Sequence, residues 1–361
     1  DGDLGERQRV RLFVRRDVFG RFFSCLVYLP RDRFNTDNCR RIQEILAEAF
    51  GGVDVNYATR VSESVLASLH FVVYVEPGRL VQYDAAELEA RVAAATRAWA
   101  DDLREALFEQ LGEERAALLF DRYGEAFPIA YREEFPARQA VLDIDRMEKL
   151  DGSGDLAMSL YLPHATSGTQ LAFKVLRSSN PILLSDVLPL LENMGVKVTD
   201  ERPYEVHPRD RDPVWIYDFG LRHSEGAGFE VERVRETFQD TFARTWRGEH
   251  ENDGFNRLVL SAQLTAREIT VLRAIAKYLR QAGSTFSQDY MEDALSAHAA
   301  IARQLVDLFR LRLDPAAQDE DTDAKARQLE RDIKAAIDGV ESLDEDRILR
   351  GFLRVVRAIL R

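Results

Sequence analysis

Cysteine is almost missing from this sequence, which holds only Cys25 and Cys39 in 361 residues. Two isolated thiols cannot form a disulfide framework or a thiolate zinc site, so each is expected as a buried thiol in a reducing compartment, the cytoplasm. Lysine is scarce too, at six residues. No stretch approaches the ~18–20 consecutive apolar residues of a membrane-crossing helix, which argues against a membrane partner. A formal charge of −13 repels phosphate over most of the surface and argues against nucleic acid. The six histidines, His70, His164, His207, His223, His250 and His298, show no His-x-x-x-His spacing, and no carboxylate run has zinc or calcium spacing. A nucleophile elbow and a phosphate-binding loop are absent as well. Neither a metal site nor a catalytic residue is expected.

What is present is ordinary for a globular protein, 45% hydrophobic and 31% charged. The length suggests two or three domains at the usual ~100–200 residues each. The opening at Asp1 without an initiator Met, and the close at Arg361 inside a helical pattern, lead us to expect both ends to be cuts in a longer polypeptide.

The first module reads strand, helix, strand, strand. Phe22 to Leu29 is rich in aromatic and β-branched residues, and Asn35 or Thr36 can cap a helix that runs to Phe50. Gly51-Gly52 stops that helix before strands at Val53 to Val61 and Leu69 to Val75. From Asp84 to about Tyr123 the spacing turns helical, with Leu88, Val92, Trp99, Leu103, Leu107 and Leu111 on one face. Beyond Asp151-Gly-Ser-Gly154 the grammar repeats: Tyr28-Leu-Pro30 recurs as Tyr161-Leu-Pro163, and Gly52-Val-Asp-Val55 as Gly195-Val-Lys-Val198. About ten additional residues between these matches suggest a further strand at Thr169 to Leu176. Another strand is expected at Val214 to Arg222, and a helix at Val231 to Arg247. From Phe255 onward the pattern is helical throughout, ending in Leu343 to Arg361 with Ile348, Phe352, Val355 and Ile359 as an apolar stripe flanked by arginines. The fold class is therefore α+β, two small modules with antiparallel sheets interleaved with helices, followed by an all-α part.

Two motifs point to chemistry in form but not in context. Gly152-Ser-Gly-Asp-Leu-Ala157 matches the dinucleotide fingerprint, yet a helix precedes it and a strand follows, the reverse of what places helix amides on a pyrophosphate. Gly226-Ala-Gly228 lacks the third small residue. Arg21-Phe-Phe-Ser-Cys-Leu-Val-Tyr28 partly resembles an RNA-recognition strand, and Arg7, Arg9, Arg11, Arg15 and Arg16 add positive charge. Phe22 and Cys25 stand where that strand needs a glycine and a stacking aromatic.

Glu251-Asn-Asp-Gly-Phe-Asn-Arg257, Ala276-Lys-Tyr-Leu-Arg-Gln281, Phe286-Ser-Gln288 and the opening segment Arg15 to Arg33 resemble, in order and spacing, the large-subunit class of bacterial NAD-dependent glutamate dehydrogenase, upstream of its catalytic domain. The resemblance implies an ACT-like, ferredoxin-like βαββ module at 1–83, a helical arm at 84–150, a second ACT-like module at 151–250 and a helical motif at 251–361 leading to a catalytic domain. It implies a regulatory and oligomerisation segment with no catalytic, cofactor or metal residue of its own. The parent enzyme would convert L-glutamate to 2-oxoglutarate and ammonia with NAD. Partners would be the chain's own catalytic domain and other subunits of a homo-oligomer. Alternatives are a stand-alone amino-acid sensor and a passive spacer. ACT-like modules bind effectors near the loop after the first strand, here Pro30 to Asn35. Arg31 and Arg33 would meet a carboxylate there, Asp32 an ammonium, and Asn35 would complete the pocket. The loop Pro163 to Gly168 in the second module has no arginine.

Overall fold

Alternation of apolar and polar side chains decides the first sheet. The computed structural model describes residues 10–60, 66–76, 81–96, 98–150, 156–163, 170–223, 231–315 and 321–359. Strands β1 (Arg11–Arg16) and β2 (Phe22–Pro30) precede helix α1 (Thr36–Phe50), then come β3 (Asp54–Arg60) and β4 (Leu66–Tyr74). On β2 Phe23, Cys25, Val27 and Leu29 point into the core, and on β4 Ala67, Leu69, Phe71 and Val73 do the same. The antiparallel register pairs Cys25 with Val14 on one side and with Phe71 on the other, giving the order β1-β2-β4-β3. Helix α1 covers this face with Ile42, Leu46 and Phe50, and Phe23 stacks on Phe50 at 4.2 Å between centroids. Gly51 ends α1 in the left-handed region at φ 60, where a glycine pays no Cβ penalty. At Gly52 a Cβ would come within 2.5 Å of Val73 Cγ1, so the close approach of turn and strand also needs glycine.

The helical spacing expected from Asp84 to Tyr123 resolves into three helices with two separate faces. Helix α2 (Ala85–Ala95) closes the sheet's core with Leu88 and Val92. Helices α3 (Trp99–Leu111), α4 (Glu113–Tyr123), α5 (Ile129–Glu134) and α6 (Ala137–Glu148) pack on one another. The break comes at Thr96, whose extended backbone stops α2. Aromatic rings fill the helical group: Trp99 meets Phe127 at 5.3 Å, donates its indole N–H to Phe135 O at 2.9 Å, and Tyr131 OH donates to the buried Asp143 carboxylate at 2.6 Å.

The second sheet is built from β5 (Leu156–Tyr161), β6 (Gln170–Ser178), β7 (Val196–Val206) and β8 (Val214–His223), in the order β5-β6-β8-β7. Helix α7 (Leu184–Asn193) lies between β6 and β7 in sequence, and α8 (Val231–Trp246) follows β8 and packs Phe238 and Phe242 on Phe173. Both sheets thus have the same strand order and the same helix placement, which is the α+β ACT-like arrangement expected, repeated. One detail of the expected repeat is corrected. Gly52-Val-Asp-Val55 and Gly195-Val-Lys-Val198 do occupy equivalent helix-to-strand turns, but Tyr28-Leu-Pro30 ends the second strand of its sheet while Tyr161-Leu-Pro163 follows the first of the other. The ten-residue discrepancy has this origin. Strand β1 is hidden in the sequence pattern because its exposed residues, Arg11, Phe13, Arg15 and Arg16, do not alternate cleanly as polar against apolar along this edge strand.

The rest is helical, as expected: α9 (Leu258–Ser261), α10 (Ala266–Gln281), α11 (Gln288–Ala297), α12 (Ala299–Leu313), α13 (Thr322–Asp338) and α14 (Leu343–Ala358). By packing, the chain divides into two compact units. One comprises Asp1–Asp155, Arg177–Asn180 and Tyr204–Ile216; the other comprises Leu156–Leu176, Pro181–Pro203 and Tyr217–Arg361. Among the described residues no helix is long and apolar enough to cross a membrane.

Candidate functional site

Two places can be weighed, the loop after β2 and the segment from His250 to Glu292. In the loop, Arg31–Arg33 form a single 3-10 turn between β2 and α1. Asn35 is buried and caps α1, its Oδ1 accepting from Asn38 N at 2.7 Å, while Asn38 Nδ2 donates back to Arg33 O at 2.7 Å. The Arg31 Nε donates to Glu133 Oε1 at 2.9 Å. Arg33 is half-buried and has no ion pair among the described residues, and the Asp32 side chain lies outside them. Of the four expected effector residues, Asn35 is committed to the helix cap and Arg31 to Glu133.

The second place is a polar clasp, and it starts from one buried charge. Arg273 lies on the inward face of α10 beside Ile269, Leu272 and Ala276, and is 3% exposed. Its guanidinium forks onto Asp253, with Nε to Oδ2 at 2.7 Å and Nη2 to Oδ1 at 2.8 Å. Nη2 also donates to Asn256 Oδ1 at 2.9 Å, and the guanidinium carbon stands 5.8 Å from the centroid of the Phe255 ring. Asn256, fully buried, turns its Nδ2 to Glu251 O at 3.0 Å. A short 3-10 turn, Gly254–Arg257, holds these donors and acceptors in place.

The far side of that turn is pinned by α11. Glu292 is 5% exposed; its Oε2 accepts from Gly254 N at 3.1 Å and its Oε1 from Gln288 Nε2 at 2.8 Å. A Cβ at position 254 would sit 2.4 Å from Glu292 Oε2, so a side chain there would push the Glu292 carboxylate off the Gly254 amide. Burial raises the Glu292 carboxyl above its ordinary value. At the outer edge Glu251 pairs with Lys277 at 2.5 Å, which lowers the Glu251 carboxyl, and Arg257 pairs with Asp293 at 2.5 Å.

His250 lies at the rim. Its Nε2 is 3.1 Å from Asn256 Oδ1 and 3.3 Å from Arg273 Nη1; one neutral tautomer donates to the first, the other accepts from the second. Burial and then the Arg273 charge disfavour the imidazolium and lower its pKa.

The clasp brings together the three recognition segments noted in the sequence, 251–257, 276–281 and 286–288. Arg273, Glu292 and His250 were missed. A signal existed for Arg273, a charged residue at a position of α10 whose periodicity marks it as inward. Cys25 and Cys39 are buried, and burial pushes their thiols up to about 12 and about 11. Among the described residues no group of three or more His, Cys, Asp and Glu is placed to hold a metal. The Gly226-Ala-Gly228 cluster, His164 and most of Gly152 to Ala157 lie outside the described residues.

Repeated four-stranded sheets, each paired with helices and followed by a helical group, define a pair of ACT-type domains joined to helical motifs. Family models agree segment by segment: the glutamate dehydrogenase ACT2 domain matches residues 11–100, helical motif 2 matches 106–150, the ACT3 domain matches 155–234 and helical motif 3 matches 250–315. The chain is 43% identical over 359 residues to the NAD-specific glutamate dehydrogenase of Halomonas elongata, and 40% over 360 residues to that of Pseudomonas aeruginosa. It is 35% identical over 379 aligned residues to the Mycobacterium tuberculosis enzyme of the same name. Each alignment takes in 99% of this chain but only 22–23% of the relative. The chain belongs to the large NAD-dependent glutamate dehydrogenase family and corresponds to its ACT and helical-motif region.

The clasp yields two expectations. Arg273→Met leaves the Asp253 carboxylate without its fork and should cost roughly 3–5 kcal/mol, read from the urea midpoint, while Lys277→Met at the exposed edge should cost less than about 1 kcal/mol. Equal costs at the two positions would contradict the assignment. For His250 the folded pKa lies below the ordinary 6.5, so on acidification the unfolded chain takes up a proton first. Stability should therefore fall as pH drops through about 6.5 toward the lowered folded value, and His250→Gln should flatten that part of the stability profile.

Proposed function

We propose that this region regulates and assembles an NAD-dependent glutamate dehydrogenase rather than carrying out its reaction. The observation that supports the reading is the clasp itself: this buried polar cluster commits its charges to internal partners, so that among the described residues of the clasp none is left to hold a dinucleotide or to act on a substrate. Such a cluster fixes geometry. In the parent enzyme a separate catalytic domain would oxidise L-glutamate to 2-oxoglutarate and ammonia with NAD, in the cytoplasm, and subunits would associate through surfaces of this region. Deleting the equivalent residues from the full-length enzyme should change its oligomeric state, measured by light scattering, and its response to amino acids, measured as initial rate. An enzyme unchanged in both would end the proposal.

The effector reading belongs to the same proposal. Arg31, Asp32, Arg33 and Asn35 would receive an amino acid whose carboxylate takes the place of Glu133 on Arg31, with Arg33 as the second cation. The loop follows the second strand of its sheet rather than the first, which corrects the expected placement, and what supports the reading is that it leads directly into the capped start of α1. A screen of the twenty amino acids at millimolar concentration should find one that raises the melting temperature by roughly 2–4 °C, an effect lost in Arg31→Ala/Arg33→Ala. A flat screen, or a shift that survives the double substitution, would remove the loop from consideration.

A further inference from the structure

Helices α10 and α14 each carry more apolar surface than their packing uses. On α10 Ile269, Leu272, Ile275 and Ala276 are buried, and on α14 Ile348, Leu349, Phe352, Leu353 and Val356 are. A surface helix needs an apolar stripe only ~100° wide to cover a core. Here the stripes continue round the side, through Val271, Ala274 and Tyr278 on the first helix and Val355 and Ile359 on and just after the second. These side chains line an open groove of about 1330 Å³. Tyr278 is 57% exposed within it. The helices are close at the base of the groove, where a Cβ added to Gly351 would touch Leu279 at 3.5 Å.

We infer that this groove is the docking site for an amphipathic helix of another polypeptide segment, one whose apolar stripe is flanked by carboxylates. Size speaks for a helix rather than a metabolite, because small-molecule pockets run to ~300–1,000 Å³ and the walls are two 16-residue helices, each about 24 Å long. Charge decides the flanks. Arg267 on α10 and Arg354 on α14 line opposite walls; both are exposed, and neither has a hydrogen bond or ion pair among the described residues. At one end of the groove the charges are already paired, Arg244 with Asp240 at 2.8 Å and the lining carboxylate Glu249 with Arg247 at 2.8 Å, which leaves the two arginines as the unpaired charges of the walls among the described residues. In a chain of net charge −13, two uncommitted guanidiniums beside an apolar floor select an acidic partner.

The inference goes beyond the regulatory reading and stands on the helical part alone. Its test is selection from a displayed library of amphipathic helical peptides, with the apolar stripe fixed and the flanking positions randomised, against the chain immobilised intact. Selected peptides should be rich in Asp and Glu at the flanks. Their affinity should fall by about tenfold or more in Ala274→Glu and again in Arg267→Glu/Arg354→Glu, and should weaken as salt is raised. All three substituted residues are exposed, so both variants should melt with the parent chain; if Ala274→Glu does not, the arginine pair alone carries the test. The inference is overturned by a selection without acidic enrichment, or by peptides indifferent to the arginine pair. It is equally overturned if Ala274→Glu abolishes self-association in sedimentation, which would make the occupant a second copy. Loss of binding to phosphatidylglycerol vesicles in the same variant would make it a lipid surface, with the same consequence.

Discussion

A guanidinium taken out of water is tolerated only when nearly all of its hydrogens find acceptors, and that requirement at Arg273 organises the helical part of the chain. Asp253, Asn256 and the carbonyl of Glu251 supply oxygen acceptors, so three residues of one short segment must stand at fixed distances from one turn of α10. The segment then has no freedom left. The Gly254 amide donates to Glu292 Oε2 at 3.1 Å, which ties α11 to the same turn, and a side chain at 254 would have to displace that carboxylate. The helix caps around the clasp are satisfied independently, Thr265 and Glu268 by a reciprocal capping box and Ser287 by accepting from Tyr290 N, so the clasp does not have to supply partners for the helix ends.

Much of the fold was legible because its signals were local. Asn35 as cap, Gly51 as left-handed stop and the alternation in β2 each carry a physical reason within a few residues. What escaped was decided at longer range. Strand β1 has three arginines in six residues, and only its pairing with β2 reveals which side faces inward. The division of the Asp84 to Tyr123 stretch was equally hidden, because helical periodicity reports that a face is apolar without saying which core it meets.

The site shows the opposite balance. Order and spacing of Glu251 to Arg257, Ala276 to Gln281 and Phe286 to Gln288 gave the family, yet the reason for those spacings appears only in three dimensions, where Lys277 reaches Glu251 and Gln288 reaches Glu292. Arg273, the residue that joins them, falls between two of the quoted segments. In the loop after β2 the residue types suit an amino acid, but type alone does not say that Asn35 and Arg31 already have partners. A sequence lists donors and acceptors; their pairing is set by the fold.

The preference for arginine over lysine has a physical reading in this setting. A lysine at position 273 would bring one compact charge and could not span both oxygens of Asp253 while also reaching Asn256. In the other unit the multiple contacts converge on the carboxylate instead: Glu148 accepts from Arg122 Nη1 at 2.8 Å, Arg211 Nη1 at 3.0 Å and the Tyr123 hydroxyl at 2.8 Å, tying helix ends and the hairpin between β7 and β8 together. These arginine–carboxylate pairs hold elements together and are poor at chemistry, since a guanidinium does not give up its proton near neutral pH. Lysines and histidines, which do exchange protons there when tuned, are few, six of each. A region that spends its cations this way gains fixed geometry at the expense of reactivity, which is the property a segment needs if its task is to hold other domains and subunits in register.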